Sequence, residues 1–166
     1  MKLLKNIAIG LITTITTMAP AMARIEDGTS DLLRTLTDNG IALTINENCD
    51  GTYHGMYRFI GMKRELILCP GTTVDAIDHA TVRHEAIHAI QHCVNVARGT
   101  DALTPVMDID TLVAAVNEGL PESVVDFVKA TYDPSHWAIE LEANLMEYTA
   151  TAAQIEELFV EACVGG

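Results

Sequence analysis

The sequence predicts one α+β domain: a small three-stranded antiparallel sheet packed on a long helix, with further helices in the C-terminal half. Three observations predict it. Residues 41–45 and 52–60 alternate apolar and polar side chains at the period of a strand, and 64–69 pairs back after a glycine turn. The run from Val74 to Arg98 contains neither glycine nor proline and carries Ile87, Ile90, Val94 and Ala97 at helical spacing. Beyond Asp110 the pattern stays helical and is broken at Leu120-Pro121 and at Tyr132-Asp133-Pro134.

The elements follow in order. Residues 1–23 read as an export signal. Lys2 and Lys5 supply a positive start, Ile7 to Met18 is apolar and uncharged, and Ala21-Met22-Ala23 is an A-x-A cleavage site before Arg24. The apolar stretch is short of the ~20 residues a membrane span needs. Cleavage after Ala23 is therefore expected, leaving 24–166 as a single domain. Ser30 to Asp38 reads as a helix on Leu32, Leu33 and Leu36, stopped by Asn39-Gly40. In the second strand Tyr53, Tyr57 and Phe59 share one face, and Gly61-Met62-Lys63 turns the chain into the third. The long helix opens after Pro70-Gly71, with Thr72 as N-cap and Asp75 three residues on, and Gly99 fits its C-terminal stop. A short helix starts at Asp110, another runs from Pro121 through Thr131, and Ser135 caps the next. That last segment either continues to about Cys163 or bends near Thr149-Ala150-Thr151.

The long helix carries His84-Glu85-Ala86-Ile87-His88. Residues four apart on a helix lie on one face, about 40° apart around the axis. Two imidazoles so placed can grip one Zn²⁺, and Glu85 is then positioned as a general base. A catalytic zinc site needs a third protein ligand. His92 lies on the same rod, roughly 12 Å in axial rise from His84, too far for one ion to span; it reads as a flanking residue. Downstream, Glu140 would complete a His-His-Glu set. Asn144, four residues on, could accept the second ring N–H of a ligand histidine. Glu142 points about 200° away from Glu140 and reads as a solvent-facing residue and runner-up ligand. Tyr132 and His136 stand near Glu140 in sequence and are candidate donors to a developing oxyanion.

HEAIH followed by the Glu140-to-Asn144 segment ELEAN resembles the gluzincin metallopeptidases, and among them the small minigluzincin and ImmA/IrrE-like types. The match covers roughly residues 51–148, including the hairpin before the long helix. The resemblance implies a zincin-like fold, His84, His88 and Glu140 as ligands of one zinc ion per chain, Glu85 as general base and Asn144 as a supporting residue. An i+10 histidine of the metzincin kind is absent: position 94 is Val94 and position 91 is Gln91. The NExxSD signature of larger gluzincins is missing too.

All four cysteines, Cys49, Cys69, Cys93 and Cys163, follow the signal. An even count in an exported chain suggests two disulfides with three possible connectivities. Cys49–Cys69, clamping the hairpin ends, with Cys93–Cys163, pinning the last helix to the long one, is preferred. The net charge of −13 becomes −15 when Lys2 and Lys5 leave. Such a charge argues against nucleic acid as a partner and against stable association with anionic membranes after signal cleavage.

The expectation is a secreted or periplasmic zinc-dependent peptidase acting on a peptide or protein substrate. Two alternatives stand beside it: a secreted non-catalytic zinc-binding or interaction protein, and a zinc hydrolase of a non-peptide amide.

Overall fold

The computed structural model describes residues 28–49, 53–61, 63–69 and 79–165. The expected signal and its cleavage point, Thr72 and Asp75 at the head of the long helix, and Met62 in the hairpin turn lie outside the described residues. The described elements run α1 (Thr29–Asp38), β1 (Ile41–Ile45), β2 (Gly55–Ile60), β3 (Lys63–Leu68), α2 (His79–Ala97), α3 (Ile109–Gly119), α4 (Glu122–Thr131), α5 (Trp137–Thr149) and α6 (Ala152–Cys163). Among the described residues no helix is long and apolar enough to cross a membrane.

Local chemistry explains where these elements stop and start. α2 ends in a Schellman motif: Gly99, at φ +86°, donates its N–H to Val96 O at 2.9 Å, and Thr100 N–H reaches Asn95 O at 3.0 Å. α3 begins one residue earlier than expected because Asp108 is its N-cap, accepting from Thr111 N–H at 3.0 Å. α5 begins at Trp137 rather than after Ser135, since Asp133 holds Ser135 N–H and Oγ in a turn of its own. The break between α5 and α6 is a capping box. Thr151 Oγ1 accepts from Gln154 N–H, and Gln154 Oε1 accepts from Thr151 N–H at 2.9 Å.

The sheet departs from the expected antiparallel arrangement. Its order is β1-β3-β2, with β2 antiparallel to β3 but β1 parallel to β3. The physical reason lies in β3, whose Leu66, Ile67 and Leu68 are buried. The most deeply buried strand takes the centre, where both its edges are paired. Parallel pairing sets the C-terminal ends of β1 and β3 side by side, which is where Cys49 and Cys69 form their bridge, with Cα atoms 5.9 Å apart. That bridge clasps parallel strand ends, not hairpin ends. The second bridge is Cys93–Cys163 and fastens α2 to α6. Both pairings match the preferred connectivity, and two bridges fit an oxidising compartment.

α2 runs through the middle of the domain. The sheet covers one flank through β2, and α5 and α6 pack on others, with α1 against α6. The core joins Leu32 and Leu36 of α1, Leu66 and Leu68 of β3, Ile87, Ile90 and Val94 of α2, and Ile155 and Phe159 of α6. A fully buried Leu, Ile or Phe contributes roughly 1.5–3 kcal/mol, so Ile155 and Phe159 make α6 a wall of the core. Ala97 is exposed, and the apolar stripe of α2 ends at Val94. A smaller cluster of Leu112, Val116 and Leu145 joins α3 to the other side of α5.

Candidate metal centre

α2 presents His84 and His88 one turn apart, and α5 lies alongside with Glu140 facing them. His84 Nε2 is 3.2 Å from Glu140 Oε2, and His88 Nε2 is 3.6 Å from Glu140 Oε1. One ligand atom from each residue lies within 4.8 Å of the others. Donors placed 2.0–2.1 Å from a tetrahedral zinc ion stand about 3.3 Å from one another. The His84, His88 and Glu140 group could therefore hold a metal ion, with two imidazole nitrogens and one carboxylate as its donors.

The electrostatics of the group agree with its geometry. Burial alone would lower the His84 pKa, but the Glu140 and Glu147 carboxylates on its two nitrogens outweigh burial and raise it to about 10. Burial would raise the Glu140 carboxyl; the hydrogen bonds to His84 and His88 outweigh it and bring Glu140 down to about 2. Positive charge is thus favoured where the three side chains converge.

Glu85 is buried beside this group. Its Oε2 accepts the main-chain N–H of Tyr57 at 2.6 Å, so the edge strand β2 holds the carboxylate in place. Burial pushes the Glu85 carboxyl up, and the neighbouring His88 and His84 oppose that rise. A cleft of about 230 Å³ opens here, bounded by Tyr53 and His54 ahead of β2, Phe127 and Tyr132 on the α4 side, and Glu147 of α5. A larger cavity of about 680 Å³ surrounds Arg64, His92 and the Cys93–Cys163 bridge. Among the described residues it holds no comparable group of donors, so size does not locate the centre.

The remaining predicted residues divide. Tyr132 borders the cleft, and its indole neighbour Trp137 donates Nε1–H to Tyr132 O at 2.9 Å. Burial and the charges of Glu140 and Glu85 push the Tyr132 hydroxyl up to about 12, which keeps it a proton donor. His136 is exposed at the start of α5 and does not border the cleft. Asn144 also borders the cleft, but its amide donates to Glu140 O one turn back, at 2.8 Å. It is not the partner of a ligand ring. Those partners are Glu147, whose Oε2 is 3.1 Å from His84 Nδ1, and Gln91, whose Oε1 is 2.8 Å from His88 Nδ1. Glu147 was readable from its spacing: Glu140, Asn144 and Glu147 form an i, i+4, i+7 row.

His92 stands apart from the donors, as its axial distance requires. Its Nδ1 meets the Tyr57 hydroxyl at 2.7 Å, and its ring stacks on Phe59 with centroids 3.8 Å apart. Glu142 reverses the solvent-facing expectation: it is fully buried and accepts from Val106 N–H, Met107 N–H and Gln91 Nε2 at 2.7–2.8 Å. α5 is packed by α2 on one side and α3 on another, so the side opposite Glu140 is interior.

Comparison of the chain with family models, with curated proteins and with solved structures returned no match.

Proposed function

We propose that the chain is an exported zinc-dependent peptidase of zincin-like fold, hydrolysing peptide bonds with an activated water. One observation carries the reading. Two imidazole nitrogens and the Glu140 carboxylate converge on one point, with a second buried carboxylate, Glu85, next to them at the wall of a cleft. The resemblance of HEAIH and ELEAN to the gluzincins supports the same reading.

A zinc ion held by His84, His88 and Glu140 would supply a water of near-neutral pKa and polarise the scissile carbonyl. Glu85 takes the proton from the attacking water and returns it to the leaving amine. Burial favours this role, because it raises the basicity of the carboxylate, while the Tyr57 N–H fixes its direction. Tyr132 donates its hydroxyl to the oxygen on which negative charge develops. Substrate lies extended beside β2, the edge strand of the sheet on the cleft side.

Glu85→Gln tests the assignment. The amide keeps the shape and loses the base, so the variant is expected to bind one zinc ion per chain and to lose peptide turnover by at least about 10²–10⁴-fold. Full proteolytic activity in Glu85→Gln, or a wild-type chain that takes up no zinc, overturns the proposal.

A further inference from the structure

We infer that Gln91 is a positioning residue that selects which nitrogen of His88 faces the candidate metal, and that Glu142 holds Gln91 in the orientation that does so. The inference rests on the reading above only in taking zinc as the ion that the selected nitrogen serves.

Gln91 is fully buried on α2, in the apolar stripe between Ile87 and Val94. A buried amide offers two N–H donors at one end and an acceptor at the other. Both donors of Gln91 are committed: Nε2 reaches Ile139 O at 3.1 Å and Glu142 Oε2 at 2.8 Å. A carbonyl oxygen only accepts, and the second partner is a carboxylate oxygen. Turning the amide over would set its oxygen against both, in an interior where such contacts are unscreened. Gln91 Oε1 must therefore face His88 Nδ1, at 2.8 Å. Only an N–H on Nδ1 satisfies that contact. In a neutral imidazole the proton on Nδ1 leaves Nε2 with its lone pair, and Nε2 is the atom facing Glu140.

Glu142 cannot swing away from this task. Its carboxylate also accepts Val106 N–H at 2.8 Å and Met107 N–H at 2.7 Å. Asn95 secures the same stretch of chain from the other side, donating to Gln91 O at 2.7 Å and to Thr104 O at 2.9 Å. Residues 104–107, which supply no donor to the centre, thereby control a donor through two buried side chains. The other ring is held differently: His84 Nδ1 meets the partly exposed Glu147 carboxylate directly.

Nitrogen-resolved NMR of histidine-labelled full-length protein is the test, with zinc affinity measured by chelator competition. In the metal-free wild type, neutral His88 is expected to carry its proton on Nδ1. Gln91→Met, which keeps the length and removes the acceptor, is expected to lose that signature and to weaken zinc binding about 10–100-fold. A wild-type His88 protonated on Nε2 overturns the inference, and that measurement decides the matter even if Gln91→Met does not fold. So does a folded Gln91→Met with the Nδ1 proton and the zinc affinity both unchanged. A wild type that binds no zinc defeats the proposed function, while the tautomer of its His88 still tests the role of Gln91.

Discussion

Gly55 is where β2 comes closest to α2, and Gly55→Ala probes that approach. A Cβ at this position would run into Thr81 Cγ2 and stand 3.0 Å from Glu85 Cγ and 3.2 Å from Glu85 Oε1. Carbon atoms in comfortable contact are about 3.5–4.0 Å apart. The Thr81 side chain must turn away and Glu85 must give by roughly half an ångström to one, or strand and helix must separate. Overpacking of this kind costs about 1–3 kcal/mol, a fall in melting temperature of roughly 3–10 °C for a domain of this size. A displacement of about 1 Å in a catalytic group costs about 10²-fold in rate. The new methyl touches Thr81 and Glu85 rather than the three donor side chains, so zinc stoichiometry is expected to stay at one. Thermal melting, zinc analysis and peptide turnover on the same preparation separate these effects. Wild-type melting together with wild-type turnover in Gly55→Ala would refute the claim that β2 positions Glu85.

Four further outcomes are expected. His84, with its pKa raised to about 10, holds a proton that zinc must displace. Apparent zinc affinity should keep climbing about tenfold per pH unit past 6.5 toward 10; a plateau near pH 7 contradicts the assignment. In the zinc-free protein the stability that His84 contributes is fully present below about 6.5 and lost as pH rises through about 10. For Glu140 the contribution is present above about 4.5 and lost as pH falls through about 2, which acid and alkaline melts after chelation can follow. Tyr132→Phe should lower kcat about 10²-fold with little change in zinc content, and an unchanged kcat removes Tyr132 from the mechanism. Of the two disulfides, Cys93–Cys163 spans 70 residues and Cys49–Cys69 spans 20. Chain entropy then ranks their removal at about 4 and about 3 kcal/mol, and denaturant midpoints of the two double-serine variants should fall in that order.

Much of the centre was legible because its residues obey local rules. Helical spacing placed His84 and His88 on one face, and the ELEAN segment supplied the acid that α5 brings to them. The disulfide pairing was legible from which segments the cysteines flank. Sheet order was not, because the alternation of β1 suits either direction and the continuous Leu66-Ile67-Leu68 run of β3 does not say which strand lies on which side. Only the burial of Leu66, Ile67 and Leu68 puts β3 at the centre. Glu142 was misread by angle alone, 200° from Glu140 on a helix assumed to have a wet side. Ile139, Leu145 and Met146, three or four residues away on the same face, were the signal that this side is interior. Gln91 gave the same signal, a polar residue in line with Ile87 and Val94. A polar side chain centred in an apolar stripe is a buried hydrogen-bonding group until shown otherwise.

The donor that steadies Glu85 belongs to the main chain of residue 57. Every amino acid but proline brings that amide with it. A saturation scan across position 57 should therefore leave Glu85 anchored whenever the buried contact between side chain 57 and His92 Nδ1 is replaced without loss of packing, and should single out proline as damaging for a different reason. Tolerance at 57 would thus report on the interior next to His92, while the orientation of the base would be encoded in the path of the strand itself.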